Sequence, residues 1–161
     1  MTWLRDAHAM EEQAEKMLSN TAQRIESYPT FKEKLLQHLE ETRRQRELIR
    51  TCIDRRGGDT STLKDLTAKM VGMGQALSGL FVDDEVVKAA MASYTFEHFE
   101  IASYRSLIKA AEVVGDLQTA QVAQQLLKEE QAMADWMAAE LPAITAEYLV
   151  RLEAKGVTAK R

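Results

Sequence analysis

Apolar residues return along this chain at steps of three and four, the spacing that keeps side chains on one face of an α-helix. The first such stripe passes Leu4, Ala7, Glu11, Ala14, Leu18, Ala22 and Ile25. A second passes Phe31, Leu35, His38, then Glu41 and Thr42, Gln45, Ile49 and Cys52. A third takes Val87, Met91, Tyr94, Glu97, Ile101, Tyr104 and Ile108, and a fourth takes Ala123, Leu127, Glu130, Ala134, Met137 and Leu141. Nowhere do Val, Ile and Thr alternate with polar residues at the period of two that marks a strand. The pattern predicts an all-α protein.

Local signals bound the helices. The first is expected over about residues 2–27, ending before "YPT", because proline disfavours helix in the residue that precedes it. The second starts near Thr30 and stops at Gly57 and Gly58. The third opens in "VDDEVV", with Asp83 or Asp84 as N-cap, and ends at Gly115. The fourth runs from Asp116 to about Glu140, and Pro142 is expected to begin a short fifth helix. The links between helices 1 and 2 and between helices 3 and 4 are tight and join antiparallel neighbours, whereas the link from 2 to 3 is long. It carries an amphipathic segment of its own, "LKDLTAKMVGMGQALSGLF". Two hairpins joined by one long crossover predict a ferritin-like four-helix bundle. The bundle is expected over residues 1–156, with the crossover at about 58–82 and a polar tail at 157–161.

Each stripe is interrupted near its middle by a glutamate: Glu11, Glu41, Glu97 and Glu130. A faint repeat aligns them, since "HAME" at 8–11 matches "YTFE" at 94–97, and "LEET" around Glu41 matches "KEEQ" around Glu130. Burying an unpaired carboxylate is costly, and clustered carboxylates repel unless they are protonated or hold a cation. Three explanations stand. The glutamates are solvated heads on packed stems; or they are salt-bridged, with Arg44 one turn after Glu41 as the obvious partner; or they surround divalent metal, for which carboxylate oxygens suit iron or manganese.

Composition narrows the classes. The 161 residues suit one domain, and the helix-forming residues Ala, Leu, Glu, Gln, Lys and Arg dominate. A formal charge of −4 gives no general attraction to nucleic acid or to an anionic membrane. The arginines of "RRQRELIRTCIDRR" read as a solvated face paired with nearby acids, so no nucleic-acid partner is expected. No apolar run approaches the roughly 18 residues of a membrane span, and "MTWLRDAHAMEEQ" lacks the features of a signal peptide. The single Cys52 lies on an apolar stripe and reads as a reduced core thiol of a cytoplasmic protein.

The segments "AMEEQAEKML" at 9–18, "HLEETRRQ" at 38–45, "FEHFEIASY" at 96–104 and "LLKEEQAMADW" at 126–136 together resemble a known family. It is that of the ferritin-like proteins related to the bacterial stress proteins YciE and YciF, and the resemblance covers nearly the whole chain. It implies a homodimeric bundle with a rubrerythrin-like dinuclear site and an association with stress. The general di-iron pattern takes a glutamate from each of two helices and Glu-x-x-His from each of the other two. Glu11 and Glu97 match the first part, but Arg44 and Met133 stand where the two histidines belong. Glu100, which resembles the extra glutamate of rubrerythrin-like sites, and His38, three residues before Glu41, are the candidate replacements. For His38, as for His8 before Glu11, a role behind the ligands is favoured over direct ligation.

The expected function is that of a protein holding two divalent metal ions, iron or manganese, on Glu11, Glu41, Glu97, Glu100, Glu130 and His38. Glu97 or Glu41 would bridge, and the chemistry would be directed at dioxygen, peroxide or the metal itself. The alternative is a non-catalytic helical protein acting by self-association or partner binding, with a vestigial or salt-bridged acidic site.

Overall fold

The computed structural model describes residues 2–58, 85–154, 156 and 159. Four helices make up the described chain: α1 (Thr2–Arg24), α2 (Pro29–Arg55), α3 (Glu85–Val113) and α4 (Leu117–Glu153). The predicted crossover segment and the candidate caps Asp83 and Asp84 lie outside the described residues.

Turn chemistry sets the breaks. Tyr28 stands before Pro29 with φ −122° and ψ 74°, outside the helical region as its neighbour requires, and Pro29 opens α2. The ends of α2 and α3 use the same device. Gly57 and Gly115 adopt φ of 68° and 72°, a left-handed conformation that a side chain disfavours. The next amide then reaches back, Gly58 N–H to Ile53 O at 3.1 Å and Asp116 N–H to Ala111 O at 2.8 Å. Asp116 also caps α4, accepting from the Thr119 amide at 3.2 Å and from its hydroxyl at 2.7 Å.

Cross-helix contacts fix the order. Arg55 and Arg56 at the end of α2 pair with Asp116 at the start of α4, the latter at 2.8 Å, and Arg44 meets Glu129 at 2.8 Å. Helix α2 is thus antiparallel to α4. Arg24 at the end of α1 pairs with Glu85 at the start of α3 at 3.0 Å, so α1 is antiparallel to α3. It follows that α2 and α3 run parallel, and the chain leaving α2 begins at the opposite end of the bundle from the chain entering α3. This is the ferritin-like connectivity expected from the long second link.

The buried faces of α1 and α2 follow the predicted stripes, except that Glu41 is only half-buried. Helix α3 is turned relative to expectation. Met91 is 50% exposed and Tyr94 and Ile108 only half-buried, while Val86, Ala89, Ser93, Phe96, Glu100 and Leu107 face inward. Many small residues on α3 blur its hydrophobic contrast, so the larger Met91 and Ile108 draw the predicted face toward themselves.

The separate fifth helix does not form: α4 continues through Pro142 to Glu153. Proline removes one N–H and leaves the carbonyl of Ala138 without its helical partner. Ala138 and Pro142 both face water, which can take that carbonyl. Ile144 and Tyr148 bury the continued helix, and Arg151 donates to Ser27 O at 2.9 Å while lying over the Tyr28 ring. From the expected tail, the Ala159 carbonyl accepts from the Tyr28 hydroxyl at 2.5 Å.

The apolar core is in two blocks. One gathers Leu18, Ile25, Phe31, Leu35, Met133 and Met137; the other gathers Leu4, Met10, Ile49, Ile53, Phe96, Tyr104 and Leu126. Buried polar residues divide them: Thr42 and Gln45 on α2, Ser93 on α3 and Glu130 on α4.

The Asp116 junction can be tested directly. Its arginine partners and the Thr119 bonds hold its carboxyl well below the usual carboxylate range, against the opposing effect of burial. Because the folded pKa is depressed, this contribution is present above the unfolded value of 3.8 and is lost as pH falls below it. Asp116→Ala should lower stability at neutral pH by about 1–2 kcal/mol, the worth of a good N-cap. The gap from wild type should narrow in acid. Urea denaturation at pH 7 and pH 3 checks both; equal midpoints at pH 7 would remove Asp116 from the account.

Candidate metal centre

Four helices each send a titratable side chain to the middle of the bundle: Glu11 from α1, His38 from α2, Glu97 and Glu100 from α3, and Glu130 from α4. All are 1% exposed or less. His38, Glu97, Glu100 and Glu130 each offer a ligand atom within 4.8 Å of the others. Glu11 lies against the same group, close enough to Glu130 and Glu97 for their charges to raise its pKa.

Among the described residues no arginine or lysine pairs with any of these four glutamates. Arg44, the partner expected for a buried salt bridge, reaches Glu129 on the outside of the bundle. The solvated reading fails as well, because the carboxylates are buried. Their oxygens are unsatisfied: Oε2 of Glu11, Glu97 and Glu100 and both oxygens of Glu130 lack a hydrogen-bond partner. His38 Nε2 comes within 3.2 Å of Glu97 Oε2 and 3.3 Å of Glu130 Oε2, but without hydrogen-bond geometry. Native structures rarely leave such groups unpaired, and a missing ion is one of the standing reasons when they do.

Protons partly relieve the cost in the metal-free protein. Burial raises the Glu97 pKa from 4.5 to about 7, even with His38 pulling the other way. Burial, and then the Glu130 charge, raises Glu11 and Glu100 well above 4.5. For His38, burial lowers the pKa, but Glu97, Glu130 and Glu41 outweigh it and carry the ring well above 6.5. Tyr104, fully buried, donates its hydroxyl to Glu11 Oε1.

The expected site residues are thus brought together with one exception. Glu41 has a side chain 30% exposed and lies behind the ring of His38, accepting from Nδ1 at 2.9 Å. His38 stands inside the cluster and Glu41 outside it, the reverse of the expected order. The regular stripe of α2 carried this information: Leu35, His38, Thr42, Gln45 and Ile49 alternate steps of three and four, and Glu41 falls off that line. His8 is buried but away from the cluster, its Nδ1 3.9 Å from Glu12. His98 is exposed and meets Tyr94 edge-on at 4.7 Å.

The donors suit a hard or borderline divalent cation: carboxylate oxygens in excess, one imidazole, and a dry space that disfavours uncompensated negative charge. Iron and manganese meet that description.

Solved structures of similar proteins share the architecture. A protein of Xanthomonas campestris pv. campestris is 38% identical, with 95% of this chain and 94% of that chain covered and a TM-score of 0.81. The Escherichia coli stress protein YciF is 26% identical over 86% of this chain and 89% of its own, with a TM-score of 0.74. YcfI of Rhodopseudomonas palustris is 25% identical, covering 84% and 88%, with a TM-score of 0.71. The family described as a domain of unknown function, DUF892, matches residues 1–150, and the chain belongs to that family.

Proposed function

We propose that this protein binds a pair of divalent metal ions, iron or manganese, at the middle of the bundle and uses them in oxygen, peroxide or metal handling under stress. The observation that carries this reading is the set of buried carboxylates around His38 that, among the described residues, no arginine or lysine reaches. His38, Glu97, Glu100 and Glu130 would hold the first ion, and Glu11 with Glu130 would extend the site to the second. Such a pair would supply electrons, one from each ion, toward dioxygen or peroxide. Tyr104 holds Glu11 in place, and Met10, Phe96, Leu126 and Met133, buried beside the acids, keep water out. Glu11, Glu97, Glu100 and the Nε2 of His38 would release their protons as a cation enters. Metal uptake is therefore weakened in acid.

The name of YciF as a stress protein supports the stress context by similarity alone. Among the described residues no helix is long and apolar enough to cross a membrane. A second reading, association without catalysis, draws on exposed apolar residues at the ends of the bundle: Val113, Val114 and Leu117 at one, and Leu149, Val150 and Leu152 on the last turns of α4. A homodimer is compatible with both readings.

Metal content separates them. Crystals grown with excess ferrous or manganous ion should show anomalous density between Glu97, Glu100, Glu130 and His38, and ferrous protein should consume oxygen or peroxide faster than free ferrous ion. Glu97→Ala should abolish the excess rate. A well-ordered crystal without density there would leave association as the reading.

The pH dependence of the metal-free protein has a definite sign. Folded pKa values raised above the unfolded ones mean a contribution fully present below the unfolded value and lost as pH rises through the folded value. For Glu97 that window runs from 4.5 to about 7, and the raised His38 acts in the same direction. In chelator, the melting temperature should therefore fall between pH 5 and 8, and added manganese should cancel most of the fall. A melting temperature that rises over this range would show that the acids are paired with a cation of the protein.

Glu100 tests the cost of a single acid. Burial and the charges of Glu130, Glu97 and Glu11 all act against its ionisation, and each unit of such a shift corresponds to about 1.4 kcal/mol. Glu100→Gln should raise metal-free stability at pH 8, with the gain shrinking toward pH 4, and should weaken manganese binding. Loss of metal-free stability at pH 8 would contradict this account.

A further inference from the structure

We infer that Glu41 is a positioning residue for the metal centre, accepting the Nδ1 hydrogen of His38 so that the Nε2 lone pair faces the carboxylates. The inference rests on the metal reading above and adds a division of labour to it.

The geometry is local and complete. One oxygen of Glu41 stands 2.9 Å from His38 Nδ1, and the other accepts from the Gln37 amide at 3.0 Å. The carboxylate is therefore held at both oxygens by its own helix. An ionised carboxylate only accepts, so Nδ1 must carry the hydrogen. The neutral ring then has its one available lone pair on Nε2, the atom 3.2 Å from Glu97 and 3.3 Å from Glu130. Without Glu41 the ring has two tautomers, one of which turns an N–H toward the cation. Metal-binding histidines generally have their second nitrogen fixed in this way by a carboxylate or carbonyl.

Exposure supports the same division. The His38 side chain is 1% exposed and that of Glu41 is 30%, so the carboxylate stands between the ring and water. Its charge is hydrated on one side and costs little, unlike that of a fifth buried acid in the cluster. The same spacing on α1, His8 and Glu11, does not form such a pair: both residues are buried, and His8 Nδ1 has no hydrogen-bond partner, lying 3.9 Å from Glu12. Helix phase, and not the spacing alone, makes the His38–Glu41 unit.

The test uses the full chain with zinc as a diamagnetic probe. Zinc affinity by chelator competition and the ring nitrogens of ¹⁵N-histidine-labelled protein would be read for wild type, Glu41→Ala and Glu41→Gln. Wild type should show His38 bound through Nε2 with Nδ1 protonated. Glu41→Ala should keep the helical circular dichroism, lose about 10–100-fold in zinc affinity and lose the single Nδ1–H signature. Glu41→Gln keeps an acceptor oxygen and should recover part of both. Wild-type zinc affinity and an unchanged ring in Glu41→Ala would overturn the positioning role and leave the metal reading intact, as would ligation through Nδ1 in wild type. A wild type that takes up neither zinc nor manganese would overturn the metal reading and this inference with it.

Discussion

Acid buried in excess of its counter-charge governs this bundle. Glu11, Glu97, Glu100 and Glu130 sit together out of water, and one imidazole is the only basic side chain among them in the described structure. Such a group is unfavourable by itself. It is held by the frame described around it: two tight hairpins, glycine-terminated helix ends, and an Asp116 junction that ties α2 to α4. The apolar blocks above and below supply the stability that the acidic layer withholds.

That arrangement suits binding better than support. If the acids served only to hold the helices together, apolar residues of similar volume would do it more cheaply. Arginines are plentiful on α2, yet Arg43 and Arg46 pair with Glu15 and Arg44 pairs with Glu129, all on the outside. The interior acids have no arginine or lysine partner among the described residues and are relieved by protons and by His38. Sites of this kind, strained when empty and satisfied when filled, couple ligand uptake to stability.

Much of this was legible in the chain. The four long helices, the tight hairpin links and the long second link follow from periodicity and from Pro29, Gly57 and Gly115, whose backbone demands are local. Glu11, Glu97 and Glu130 stood out because charge interrupted an apolar face. The errors were errors of helix rotation. On α2, Glu41 was as attractive as its chemistry, but the ring of His38 occupies the inward position and Glu41 turns out to water. On α3, Ala89, Ala90, Ala92 and Ser93 carry too little contrast to fix which side faces in, so Met91 was placed inward and is exposed. Pro142 was read as a break because its local cost is visible, whereas the burial of Ile144 and Tyr148 that outweighs it depends on the partner helices.

The division of the core into two blocks bears on how such a sequence can change over time. Leu35 and Phe31 belong to one block, Ile49 and Ile53 to the other, and neither pair packs within the other's cluster. Substitutions without shared neighbours combine additively, so compensation for a poor fit in one block must be found inside that block. Each half of the bundle is free to drift on its own, as long as its volume and apolar character are kept. The layer between them has no such freedom, since His38, Glu97, Glu100 and Glu130 share one small space. Relatives sharing only a quarter of their residues can in this way keep one architecture.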